Sequence, residues 1–256
     1  MRIVPNNERT KGEQRFEAYL KTMGYPFVFE KEHLGKSKRP DYTLAFGGKT
    51  YLFDVKDADP YTSRGFNQFD PHPEITERIK AGLKKFREFK EFPCCIVLQN
   101  NGNVRMMNEE PPVMLGAMYG KIAFRVPLYV GEGPRSEPAP PVQPVFTGGA
   151  QFQPNRNTRI SALITLRRIG VGKRRLRRIQ KDDPNLSFWD AYYRTAERFG
   201  ADFFEERQQG LIVWENVYAR VPLPRDLFNG PWDERYGQDG TDITRIFCGS
   251  AFEEFD

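Results

Sequence analysis

KRPDYTLAFGGKTYLFDVKD, Lys38 to Asp57, is the stretch on which the fold turns. Tyr42 to Phe46 and Thr50 to Val55 are rich in aromatic and β-branched residues. Gly47-Gly48 between them is a short hairpin signal, so the stretch reads as two antiparallel strands. Side chains alternate along a strand: Tyr51, Phe53 and Val55 face one way, and Leu52, Asp54 and Lys56 face the other. Asp41 enters the first strand just after Pro40, whose missing backbone donor is tolerated at a strand start. In a regular hairpin Asp41 then lies beside the far end of the second strand, close to Asp54 and Lys56.

Two neighbouring carboxylates repel and raise one another's pKa unless something positive sits between them. A divalent cation is the usual solution, and hard cations such as Mg²⁺ prefer carboxylate oxygens, backbone carbonyls and water. Lys56 would then stand beside water on that cation, where an ammonium can steady a hydroxide and the charge developing on a phosphate.

Pro40-Asp41, a gap, then Asp54-Val55-Lys56 resembles the signature of the PD-(D/E)XK nuclease superfamily in its D-X-K form. That superfamily also uses a glutamate on the helix before the first core strand, upstream of a helix-ending glycine. GEQRFEAYLKTMGY supplies such a segment, with Phe16, Tyr19, Leu20 and Met23 at helical spacing and Gly24 as the stop. Glu13 and Glu17 share a helix face. Glu13 is the better match to the family glutamate and Glu17 the fallback.

The resemblance implies an α/β fold with a restriction-endonuclease-like αβββαβ core, a central mixed sheet flanked by helices, and a mixed C-terminal extension. It implies Mg²⁺-dependent hydrolysis of phosphodiester bonds, with Mn²⁺ as a substitute. Asp41, Asp54, the Val55 carbonyl and Glu13 would hold the metal, and Glu13, Asp41, Asp54 and Lys56 would form the catalytic set. DNA is the expected polymer, and restriction, phage defence or mobile-element processing are settings such an enzyme would suit. The competing expectation is a catalytically silent nuclease fold that binds nucleic acid or a partner. Each residue also has a plainer role: Asp54 and Lys56 as an exposed ion pair of little energetic weight, Glu13 as a solvent-facing charge, Asp41 as turn chemistry. Those roles leave the shared geometry unexplained.

The chain has 256 residues, 39% hydrophobic, enough for a sizeable core in one elaborated domain or two small ones. A net charge of +5 favours a polyanionic partner. Much of it lies in RRIGVGKRRLRRIQK, where Arg167, Arg168, Lys173, Arg174, Arg175, Arg177, Arg178 and Lys181 occur with no acidic residue between them. Such a run can neutralise phosphates without reading sequence, and it can equally be a solvated face. Gly170 and Gly172 are expected to divide it between the end of one helix and the start of another segment.

Residues 1–130 are expected to hold the nuclease core, 131–157 a Pro/Gly-rich loop, and 158–256 a basic α/β extension packed on the core. Within the core the sequence predicts a strand over Phe27 to His33, a loop over Asp57 to Pro73, a helix over Glu74 to Phe89 and a buried strand over Cys94 to Leu98. Pro111 and Pro112 suit a helix start, and Lys121 to Val130 reads as a strand. Beyond the loop, Arg159 to Ile169 reads as an apolar helix, Leu186 to Phe199 as an amphipathic helix capped by Ser187, and Leu211 to Val221 as a strand interrupted at Glu215-Asn216. Trp214, Tyr218 and Trp232 could stack bases but fit core or rim positions better.

Cys94, Cys95 and Cys248 neither suggest a disulfide framework nor a zinc site and point to a reducing compartment. His33 and His72 are too few for a histidine-metal centre, and there is no Walker-type phosphate loop. With no apolar signal core and no membrane-length apolar run, a cytoplasmic location and no membrane partner are expected. A homodimer would suit double-strand cutting.

Overall fold

The Gly47-Gly48 hairpin closes as the sequence requires. Both glycines have positive φ, 56° and 74°, the left-handed pair that a two-residue turn demands to match strand twist. The structure is a computed structural model that describes residues 9–60, 72–103, 106–125, 143–147, 149–239 and 242–253.

In chain order these form α1 (Lys11–Thr22), β1 (Phe27–Phe29), β2 (Tyr42–Phe46), β3 (Lys49–Ala58), α2 (His72–Lys85) and β4 (Cys94–Asn100). Then come α3 (Pro111–Tyr119), β5 (Lys121–Arg125), β6 (Gln143–Thr147), β7 (Ile160–Gly170), α4 (Gly172–Asp182) and α5 (Phe188–Phe199). The chain closes with β8 (Arg207–Glu215), β9 (Glu234–Asp239), β10 (Asp242–Cys248) and α6 (Ser250–Glu253). The fold is α/β. Among the described residues an eight-stranded mixed sheet runs β1-β2-β3-β4-β7-β8-β9-β10, and β5 and β6 form a separate antiparallel pair. The β3–β4, β4–β7 and β8–β9 pairs are parallel and the rest antiparallel.

Helices cover both faces, and at the sheet centre β4 is buried from Cys94 to Gln99. On one face Phe16, Tyr19 and Leu20 of α1 pack with Phe53, Val55, Val97, Ile164 and Phe228. On the other, Ile75 and Ile79 of α2 and Met114 and Met118 of α3 pack with Leu52, Ile96 and Leu98. Alternation along β3 therefore sends odd-numbered side chains toward α1 and even-numbered ones toward α2.

α1 is held at its start by a capping box in which Thr10 Oγ1 accepts from the Glu13 N–H at 3.2 Å and Glu13 Oε2 accepts from the Thr10 N–H at 2.8 Å. It ends at Gly24, whose φ of 70° follows the last turn, as the sequence predicts. Gly12 allows α1 to press directly on β3, since a Cβ there would lie 2.8 Å from both an Asp57 carboxylate oxygen and a Val55 methyl. Ser187 caps α5 by accepting from the Asp190 N–H at 3.1 Å.

Several expectations are corrected. Arg159 to Ile169 is not a helix: its apolar residues form the interior strand β7. Ile160, Ala162, Leu163 and Ile164 are fully buried, and a strand covered on both faces loses the alternation that would distinguish it from a buried helix. The basic run consequently begins on a strand, with Arg167 and Arg168 on β7 and Lys173 to Lys181 on α4. The first strand stops at Phe29, and Glu30, at a φ of 44°, lies outside it together with Lys31. The helix predicted from Glu74 already ends at Lys85, with residues 86–88 in a tighter turn. The C-terminal residues do more than pack on the sheet: β7 to β10 extend it from the edge of β4. Part of the expected proline-rich loop is the strand β6, while its residues 131–142, like 126–130 of the expected strand and 61–71 of the loop after β3, lie outside the described residues. Trp214 is fully buried and stacked on Tyr236, with ring centroids 4.6 Å apart, so it serves the core. Among the described residues no helix is long and apolar enough to cross a membrane.

Candidate active site

The β2–β3 register pairs Tyr42 with Phe53 and Thr43 with Leu52, and one further step sets Asp41 opposite Asp54. Asp41 Oδ2 accepts from the Val55 N–H at 2.7 Å, tying the start of β2 to β3. Asp54 is fully buried, and its Oδ2 lies 2.7 Å from Lys56 Nζ. The sequence-predicted convergence of Asp41, Asp54 and Lys56 is present.

Sequence reasoning missed Lys85. From the last turn of α2 its ammonium reaches between the two carboxylates, 2.7 Å from Asp54 Oδ1 and in a direct ion pair with Asp41 Oδ1. Burial alone would lower its pKa, but the Asp54 and Asp41 carboxylates more than offset this and the net shift is upward. Asp41 shifts upward as well, first through burial and then through the nearby Asp54 charge, against the pull of Lys85.

Glu13 stands close enough for its electrostatics to register Asp41, Lys85 and Asp57. Its carboxyl is held above the ordinary 4.5 mainly by burial, with the Thr10 N–H acting the other way. Glu17, the fallback, is engaged elsewhere: its two oxygens pair with Arg9 and Lys21, each at 2.6 Å. The Lys21 hydrogen bond holds its carboxyl below the ordinary 4.5, so its contribution to stability is present above that pH and is lost as pH falls through the folded value. Glu17→Gln is therefore expected to cost about 0.5–1 kcal/mol at neutral pH and almost nothing at strongly acidic pH. Urea unfolding at both pH values checks this, and an equal penalty at the two would refute it.

The side-chain chemistry suits a hard divalent cation. Both Asp54 oxygens are fully buried, and although lysine ammonium groups lie at ion-pair distance, neither oxygen receives a directed hydrogen bond. The Val55 side chain is in the core against α1, and its N–H serves Asp41. Among the described residues no three His, Cys, Asp or Glu side chains group so as to hold a metal. Two carboxylates nevertheless match the usual mode for Mg²⁺, which keeps several waters and takes one or two protein carboxylates together with substrate phosphate oxygens.

The basic run divides by environment. Arg167 is drawn inward: it pairs with Glu234 at 2.8 Å, donates to the Trp232 carbonyl at 3.1 Å, and lies over the Phe252 ring. Arg175 pairs with Glu206 and covers Phe199, and Arg174 covers Phe252. Arg168, Lys173, Arg177 and Arg178 are exposed. No protein-family model, curated protein or solved structure matches this chain.

Proposed function

We propose that this chain is a metal-dependent nuclease that hydrolyses phosphodiester bonds in nucleic acid, with DNA as the expected substrate. The observation that carries the reading is the pair of carboxylates, Asp41 and Asp54, facing one positive group while Lys56 flanks Asp54 from outside. The order α1-β1-β2-β3-α2-β4, with β3 and β4 parallel, agrees with a restriction-endonuclease-like core.

Asp41 and Asp54 would hold a Mg²⁺ ion, with Mn²⁺ as a substitute and Glu13 at the edge of the site. When bound, the cation supplies polarisation of the phosphate and activation of water. Lys56 then orients the attacking water and balances negative charge as it grows on the phosphate oxygens. Lys85 must yield its place. Its side chain is 22% exposed and long enough to swing from the carboxylates toward solvent.

A second reading rests on the same lysine. Lys85 and Lys56 already balance Asp41 and Asp54 charge for charge, as they would in a nuclease fold that binds nucleic acid without cutting it. Thermal unfolding with and without Mg²⁺ separates the two. The nuclease reading expects the wild-type midpoint to rise with Mg²⁺, the Lys85→Ala midpoint to rise at lower Mg²⁺, and Asp41→Asn to abolish the response. Cleavage of plasmid and linear DNA should stop on chelation. No midpoint response in either wild type or Lys85→Ala, together with no cleavage, would leave the binding module.

A further inference from the structure

One residue beyond Lys56, on the opposite side of β3, the chain builds a second polar site that the proposed chemistry leaves unused. Asp57 Oδ1 accepts from the Gly12 N–H at 2.9 Å and from Asn101 Nδ2 at 2.7 Å, joining the start of α1 to the end of β4. Beside this junction, at the carboxyl ends of parallel β4 and β7, is a cavity of about 310 Å³. Crevices at the carboxyl ends of parallel strands are where open α/β sheets take ligands.

Four basic residues line it, Lys11 and Arg15 from α1 and Arg167 and Arg168 from β7, with Glu109 as an opposing charge; of these Arg167 is committed to Glu234. Among the described residues neither Arg15 nor Arg168 forms an ion pair, although the two are close enough that Arg168, after burial, lowers the pKa of Arg15. Asp57 only partly offsets the crowding of the two guanidinium groups at Arg15, and a phosphate would relieve it further.

The cavity also contains acceptors without donors. Gln99 is 1% exposed, lines the cavity, and its Oε1 has no hydrogen-bond partner among the described residues. Its amide nitrogen is committed to the Asn100 carbonyl, which fixes which end of the amide is left over. Asn101 is in the same position: Nδ2 is held by Asp57 and the buried Oδ1 is unpartnered. Leaving a buried acceptor unmade is costly, and a ligand bearing N–H or O–H groups would satisfy the pair.

We propose that this cavity binds a nucleotide unit, its phosphate against Arg15, Arg168 and Lys11 and its hydroxyl or amino donors on Gln99 and Asn101. The proposal deepens the nuclease reading, on which it rests for taking that unit to belong to a nucleic-acid strand. A strand held there would be anchored on the α1 side of β3 while another of its phosphates reaches Asp54 and Lys56. A free mononucleotide offers the same chemistry, and the experiment separates the two sources.

Fluorescence anisotropy of a short labelled single-stranded oligodeoxynucleotide, measured in EDTA so that no cleavage intervenes, gives the affinity. Arg15→Gln/Arg168→Gln is expected to weaken binding about tenfold or more and to reduce the salt dependence, whereas Lys173→Gln/Arg177→Gln on α4, with the same loss of charge, should change it much less. Gln99→Leu, which keeps the charge and removes the acceptor, should weaken binding as well. Competition by dAMP that depends on Arg15 but exceeds that of the strand would identify a free nucleotide as the source. Equal losses from the cavity and α4 pairs, or no binding of oligonucleotide, dAMP or inorganic phosphate, would overturn the proposal. Because the assay needs no chemistry, cleavage that persists in Arg15→Gln/Arg168→Gln would sink this site alone, and strand binding without any cleavage would sink only the nuclease reading.

Discussion

Lys56→Ala is expected to lower Mg²⁺-dependent cleavage by about 100-fold or more, the usual cost of removing one preorganised stabiliser of developing charge. The fold should tolerate the change. Lys56 is 25% exposed, and its loss leaves Asp54 still paired with Lys85. Asp54→Asn should be at least as damaging to cleavage and should also remove the thermal response to Mg²⁺, because it strips the charge from the buried carboxylate while keeping its shape. Rates compared on the same plasmid preparation decide the matter. Equal cleavage by wild type and both variants would mean that the activity belongs to a contaminant and that these residues do not carry it.

The largest loss of stability is expected from Asp233→Ala. Asp233 is fully buried where α1 meets the C-terminal strands. Its Oδ2 accepts from the Tyr19 hydroxyl at 2.5 Å and the Gly230 N–H at 2.6 Å, and its Oδ1 from the Leu211 N–H at 2.8 Å. Alanine would strand three buried donors, each worth about 1–3 kcal/mol, for a total of about 3–9 kcal/mol. Urea unfolding measures this, and a loss under 1 kcal/mol would refute the role of Asp233 as a joint between α1, β8 and β9. Burial outweighs the three donors and raises the Asp233 carboxyl above the ordinary 3.8. Its contribution is therefore full below pH 3.8 and is lost as pH rises through the folded value. Asp233→Asn, which cannot ionise, should flatten that part of the stability profile.

The hairpin and the placement of Asp41 against Asp54 could be read from sequence because each rests on local rules. Two glycines specify the turn, and strict alternation then specifies the faces. Lys85 could not be read the same way. It is one of several basic residues on α2, and its partners are far upstream, with Asp41 44 positions away. A weak signal existed: Lys85 directly precedes buried Phe86 and follows Gly82 by one helical turn, so it borders the apolar stripe of Ile75 and Ile79, where a charge needs a partner. β7 reads as a helix from sequence because covering both faces of a strand removes periodicity. The inward turn of Arg167 depends on Glu234 and Trp232, far along the chain, and no local pattern encodes it.

The two rims of the large sheet are both irregular. At one rim β1 offers only three residues before Glu30 turns the backbone into the left-handed region. At the other, β10 shifts register between Arg245 and Phe247, which breaks its ladder. Short length and a bulge are both devices that spoil a template for adding a strand. Among the described residues, both ends of the large sheet are therefore poorly suited to continuation by a further strand.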